Sequence, residues 1–235
     1  GTARHAWRDT HLRVEGGVVS AIQRAFLIDW YFVDPTLITN RKYYPMLDTA
    51  PNDCIAQVVT SSPIMPWPDI MQGYVRILLE ARHYVYIETP YFMPTDPVLF
   101  ALCTAAQAGV DVRLMVPAHS DAKLPEWATR SFVGQVVAAG VKVYLYQAGF
   151  NHSKLLVTDD SLCTCGSTNG DFRSFENNFE SNIFFYDSQM ALRMKQVFND
   201  DLAHCQLLTS ESAFMHRGFG QRLWESIIRL FSPLM

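Results

Sequence analysis

No apolar run in this 235-residue sequence reaches the roughly 18 residues that a membrane-crossing helix needs. The opening decapeptide, GTARHAWRDT, contains three basic or imidazole side chains, no apolar core and no initiator Met. It is therefore no signal peptide, and the chain is expected to be a fragment of a longer protein. Basic runs are missing as well. Lys and Arg number 19 against 23 Asp and Glu, the net charge is −4 and the pI is about 6.0, which argues against nucleic acid as a partner. Cysteine is sparse and odd in number: Cys54, Cys103, Cys163, Cys165 and Cys205. A disulfide framework is not expected from so scattered a set, and buried thiols are. Cys163 and Cys165 have no second Cys or His cluster nearby, so no zinc site is expected and no metal is assigned. Hydrophobic residues make up 49% of the chain, enough for one sizeable core or two modest ones.

Apolar periodicity supplies the elements. DTHLRVEG (9–16) alternates and reads as a strand, and residues 18–32 have helical spacing. The following stretch is rich in turn residues and reads as a linker. From residue 54 onward, strands and helices alternate. Strands are expected at 54–63, 83–92, 110–118 and 141–147, and helices at 68–83, 96–109 and 125–140, the last two ended by Gly109 and Gly140. This is the signature of a layered α/β fold. The pattern then changes. SKLLVTDD and SLCTCGST read as a strand pair turned by Asp159 and Asp160, SNIFFYD as a strand, and residues 188–205 as a helix. One internal similarity stands out. Asp9 and Glu180 each open an acid–strand–helix unit, 171 residues apart.

The chemistry concentrates in NHSKLLVTDD, residues 151–160. Chance would produce His-x-Lys-x4-Asp about 0.01 times in a sequence of this composition. GSTN follows, with Asn169 placed 17 residues after His152, and NNFE places Glu180 28 residues after it. Alone, a His and a Lys two apart fit an ordinary solvated strand face; this company points instead to attack on a phosphodiester. A neutral imidazole at His152 is a nucleophile for phosphorus. Lys154, on the same face of the strand, supplies positive charge for the phosphate oxygens. Ser167 and Asn169 donate hydrogen bonds to those oxygens, and Glu180 is expected to accept from the far ring nitrogen of His152. Asp159 belongs to the signature, but seven residues from His152 it faces away. Its expected work is structural: capping the turn, or pairing with an Arg such as Arg173. Asp160 reads as a turn residue only.

HSKLLVTD, GSTN, DFRSF and NNFE resemble the His-Lys-Asp signature of the phospholipase D superfamily. WRDTHLRVEG, FLIDWYF, ETPYFMP, GVDVRLMVP, SDAKL and RLFSPLM resemble the bacterial cardiolipin synthases within it. The resemblance implies an α/β/α sandwich around a central mixed β-sheet, in a two-lobed enzyme with one motif per lobe. It implies transfer of a phosphatidyl group between two phosphatidylglycerol molecules through a covalent phosphatidyl-histidine, with no cofactor. It also implies anionic membrane lipid as a partner, at the cytoplasmic face of a bacterial inner membrane. Only one motif occurs here, so residues 1–34 are expected to be a remnant of the first lobe, lacking that lobe's His and Lys. Residues 35–53 are the linker, 54–210 the second lobe and 211–235 an amphipathic tail. By this resemblance Asp9 serves the first-lobe His as Glu180 serves His152. Relatives carry an apolar residue where Asn151 stands; its amide either shifts the strand or binds substrate.

Alternatives stay open at this level. A phosphodiesterase working as a twofold dimer would pair two His152 side chains across one phosphate, and an inactive lobe would bind lipid without turnover. His119 follows a strand at the end where α/β folds gather ligand-binding loops. The tail carries an apolar stripe (Leu223, Trp224, Ile227, Ile228, Leu230, Phe231) that suits either core docking or a bilayer surface.

Overall fold

The computed structural model describes residues 6–44 and 53–209. An eight-stranded mixed sheet runs through the centre, with helices on both faces. Its strands are β2 (Ile55–Ser61), β3 (Tyr84–Glu88), β5 (Asp111–Pro117), β6 (Lys142–Tyr146), β8 (Leu155–Thr158), β9 (Leu162–Gly166), β11 (Glu180–Tyr186) and β12 (Cys205–Leu207). They lie in the order β12-β6-β5-β3-β8-β9-β11-β2. β3, β5 and β6 are parallel, and β8, β9, β11 and β2 continue antiparallel.

Side-chain alternation divides the interior into two layers. Val85, Ile87 and Leu156 face one core with helices α2 (Asp69–Glu80), α3 (Asp96–Gln107) and α4 (Lys123–Ala138). Tyr84, Tyr86, Leu155 and Val157 face the other with α6 (Ser188–Leu202). Adjacent residues of one strand thus serve opposite layers, because strand side chains alternate with a period of two. Cys163 and Cys165, two apart on β9, both join the α6 layer as buried free thiols. A fully buried aliphatic side chain contributes about 1.5–3 kcal/mol, so the two layers dominate what holds the sheet together.

Several details differ from the sequence reading. Residues 9–16 make no ladder. Residues 9–15 belong to no strand or helix and Gly16 turns into the helix that follows, while Leu12 and Val14 pack on the α6 layer; the alternation was real, but among the described residues no strand pairs with it. The strand pairing falls one step earlier, where β1 (Trp7–Arg8) runs parallel to β7 (Phe150–Asn151). Two more short pieces, β4 (Phe92–Met93) and β10 (Gly170–Asp171), pair in parallel. Helix α1 (Gly17–Val33) has no buried residue, and Phe26, Trp30, Tyr31 and Phe32 lie open. A one-turn helix, α5 (Phe172–Glu176), is capped by Asp171, whose carboxylate accepts the Ser174 N–H at 2.7 Å. Among the described residues no helix is long and apolar enough to cross a membrane. Part of the linker and the whole apolar stripe of the tail lie outside the described residues.

Candidate active site

His152 stands in the gap between β7 and β8, not on a continuous strand. Two backbone hydrogen bonds fix the β1–β7 pairing around it: Phe150 N–H donates to the Ala6 carbonyl at 3.0 Å, and His152 N–H to the Arg8 carbonyl at 2.7 Å. Trp7 and Phe150 flank the imidazole, with ring centroids 4.8 and 5.8 Å away. This pairing delivers Asp9. Its Oδ1 accepts the Thr10 N–H at 2.9 Å, and its Oδ2 lies 3.2 Å from Nδ1 of His152. A carboxylate so placed holds Nδ1 protonated and leaves Nε2 as the reactive nitrogen.

The carboxylate at His152 is therefore Asp9, and the sequence-based pairing with Glu180 is corrected. Glu180 accepts from Ser167 Oγ, and from Asn178 Nδ2 at 3.1 Å. The internal repeat linking Asp9 with Glu180 was the available signal; what it could not reveal is which of the two acids meets His152. Arg8 secures the arrangement. Its guanidinium grips Asp201 of α6 with two contacts, Nε to Oδ1 at 2.9 Å and Nη2 to Oδ2 at 2.7 Å. Nη1 reaches Ser153 Oγ at 3.3 Å, and Thr10 Oγ1 donates to the same hydroxyl at 3.0 Å. The bidentate geometry with a buried Asp201 holds β1 in register.

Lys154 is buried, and its Nζ donates to the His152 carbonyl at 2.6 Å. Burial pulls its ammonium down to a pKa of about 8, against the opposing pull of the Asp9, Glu180 and Asp171 charges. Those three carboxylates and Lys154 share one electrostatic neighbourhood. Ser167 and Asn169 come with them, but their donors already have partners. Ser167 gives its proton to Glu180, and Asn169 Nδ2 donates to Asp171 at 3.1 Å. The glycine of GSTN is forced by packing: a Cβ on Gly166 would sit 2.2 Å from Asn182 Oδ1 and 2.3 Å from the Ser181 carbonyl.

Comparison with known proteins shows the family. The sequence pattern of the family described as "Cardiolipin synthase, PLD-like domain" matches residues 74–202, more than half of the chain. The chain belongs to that family. The cardiolipin synthase of Clostridium perfringens (strain SM101) is 43% identical over 234 residues, which is 97% of this chain and 49% of that protein. Cardiolipin synthase 1 of Staphylococcus aureus (strain COL) is 38% identical over 231 residues, 97% of this chain and 47% of that protein. The chain thus spans about half the length of these curated relatives. Among solved structures, phosphatidylserine synthase of Haemophilus influenzae superimposes with a TM-score of 0.68 at 14% identity, covering 92% of this chain and 61% of that one. Nuc, a phospholipase D family member of Salmonella typhimurium, gives 0.56 at 16%, covering 67% and 100%. At those identities the two structures establish the α/β phospholipase D-like fold.

In this cardiolipin synthase family member the aspartate of the signature sits at the opposite end of β8. Asp159 accepts three backbone N–H groups, from Arg82, His83 and Tyr84 at 2.8, 2.9 and 2.9 Å. These bonds hold its carboxyl below the usual range, overriding the opposing effect of burial. It does not meet Arg173, which instead donates to Asn178 at 3.3 Å. Asp160 does more than turn the chain: it accepts from Tyr84 Oη and Lys195 Nζ at 2.9 and 2.8 Å. Both aspartates have positive φ, 50° and 52°.

Asn151 is turned inward and buried, so it is no substrate contact. Its amide donates to Glu88 at 3.3 Å and accepts the Ser153 N–H at 3.0 Å. Glu88 is the residue that sequence reasoning missed behind the site. It is 1% exposed, and burial together with the nearby Asp201 charge raises its pKa to about 7. The signal was there: an acid inside the apolar run YVYIETPYF. Among the described residues no group of three or more His, Cys, Asp or Glu is arranged to hold a metal ion.

Proposed function

We propose that this chain is the second catalytic lobe of a two-lobed phosphatidyltransferase that makes cardiolipin from two phosphatidylglycerol molecules. The observation that carries the reading is the Asp9–His152 contact at 3.2 Å, beside a buried lysine. The partition proposed is residues 1–34 as first-lobe remnant, 35–53 as linker, 54–210 as second lobe and 211–235 as tail. Glu180 in turn serves the first-lobe imidazole. Among the described residues its donors are Ser167 and Asn178, and this supports the assignment.

The chemistry follows from two imidazoles steered by two carboxylates. One imidazole nitrogen attacks phosphorus of the donor lipid, and the P–O bond to its head-group glycerol breaks. The other, as imidazolium, hands its proton to the departing glycerol oxygen. The imidazole left neutral then takes the proton from a head-group hydroxyl of a second phosphatidylglycerol. That oxygen displaces the covalent histidine, and the sum is cardiolipin plus glycerol. Lys154 neutralises charge on the phosphate oxygens in both steps. Ser167 and Asn169 join when substrate displaces their present partners. Phosphatidylglycerol in an anionic bilayer and the first lobe are the partners this requires, at the cytoplasmic face of the inner membrane.

The test is product analysis with the two-lobed protein on phosphatidylglycerol vesicles. Cardiolipin with equimolar glycerol, lost on His152→Ala, is the expected result. Phosphatidic acid as the sole lipid product would replace transfer by hydrolysis, and no product at all would refute the enzymatic reading.

A further inference from the structure

A cleft of about 780 Å³ is lined in part by Trp7 and Phe150, the two rings that flank the imidazole of His152. His119, Ser120 and Asp121, from the segment after β5, line it too, with Gln147 from the end of β6. Those strands are parallel neighbours, and the carboxyl ends of parallel strands are where α/β sheets bind ligands. Among the described residues, no Lys or Arg lines it.

The composition decides what fits. Phosphate finds its cation at Lys154, and in this cleft it would meet the Asp121 carboxylate without compensation. What the lining offers is a carboxylate, a hydroxyl, a carboxamide and an imidazole, the set that pairs with alcohol hydroxyls. Asp121 is held in place: its Oδ1 accepts from Tyr91 Oη at 2.8 Å and from Ser120 Oγ at 3.2 Å. Trp7 is 62% exposed and offers a broad apolar surface for the C–H groups of a small polyol.

We propose that this cleft binds the uncharged polyhydroxyl end of the lipid head group, a glycerol-sized moiety, and sets its hydroxyl beside His152. The assignment rests on the phosphatidyl-transfer reading and adds its alcohol subsite. Asp121 and Gln147 are its specificity residues. Tyr91 acts through Asp121 and is a positioning residue.

Binding can be tested on the 235-residue chain without turnover. The probe is glycerophosphoglycerol, with inorganic phosphate as the comparison, read from the Trp7 indole N–H signal assigned through Trp7→Phe. The expected result is a saturable shift with glycerophosphoglycerol, and affinity weakened roughly tenfold or more by Asp121→Ala, the loss of hydrogen bonds to a charged group. Phosphate affinity, followed at Lys154, should stay unchanged. Asp121→Asn keeps an acceptor for Tyr91 and guards against a folding artefact; it should weaken binding less than Asp121→Ala. No shift with the polyol probe overturns the proposal. So does an equal shift with phosphate, or unchanged affinity in Asp121→Ala and Gln147→Ala. Polyol binding at Trp7 in a protein whose two-lobed form makes no cardiolipin would leave the subsite standing and remove the transferase reading.

Discussion

Replacing Glu88 by Gln removes one titrating proton from the core while keeping side-chain volume and the acceptor for Asn151. The folded-state pKa is about 7 against 4.5 for a free glutamate. Between those values the folded protein holds a proton that the unfolded chain has released. Stability contributed by the neutral carboxyl is therefore complete below pH 4.5 and lost as pH rises toward 7. At about 1.4 kcal/mol per pH unit, the loss is about 3 kcal/mol. That is a large part of a domain stability of about 5–15 kcal/mol. The cause is local. Arg8 is already committed to Asp201 by two contacts, so an ionised Glu88 would be a second buried carboxylate sharing one guanidinium. Urea unfolding at pH 4.5, 6 and 7.5 measures this in both proteins. Other groups titrate alike in each, so the difference in slope isolates residue 88. Glu88→Gln should gain on the wild type by about 3 kcal/mol on going from pH 4.5 to 7.5. Parallel pH profiles would show that Glu88 is ionised in the native state, and the account of one Arg serving one acid would fail.

Asp9→Asn should lower cardiolipin formation by the two-lobed protein about 100-fold or more with little change in unfolding midpoint, since it spoils the tautomer control of His152. Asp159→Ala should do the reverse. Losing a charged acceptor for three N–H groups costs about 2–3 kcal/mol in a melting experiment, while the turnover of the folded fraction stays near wild type. Asp201→Ala strands the Arg8 guanidinium and should cost about 3 kcal/mol. Hydrogen exchange should show the His152 and Phe150 amides losing protection while β5 keeps its own. Uniform loss across the sheet would contradict a role confined to β1.

Strands and helices with three or more apolar repeats could be read from the sequence, since layer assignment follows directly from alternation, as at Tyr84–Ile87. The pieces that build the site could not. β1, β4, β7 and β10 have two residues each, too few for any period, and form because distant segments meet. His152 and Lys154 announced themselves through their spacing to GSTN and NNFE. The partner of His152 did not, because Asp9 reaches it through a parallel pairing 143 residues distant in sequence. Parity had Asp159 facing away from His152; its three backbone donors, Arg82, His83 and the first residue of β3, are 75 to 77 residues distant, and no local pattern could name them.

The β1–β7 junction ties the orientation of His152 to a segment far away in sequence. The acid that steers it sits just past β1, which adds only two residues of ladder. Without that segment the imidazole would lose its carboxylate, Asp201 its guanidinium, and the α6 layer the cover of Leu12 and Val14. Whatever seats or loosens Trp7 and Arg8 thereby acts on both the steering of the imidazole and the pairing of the buried Asp201.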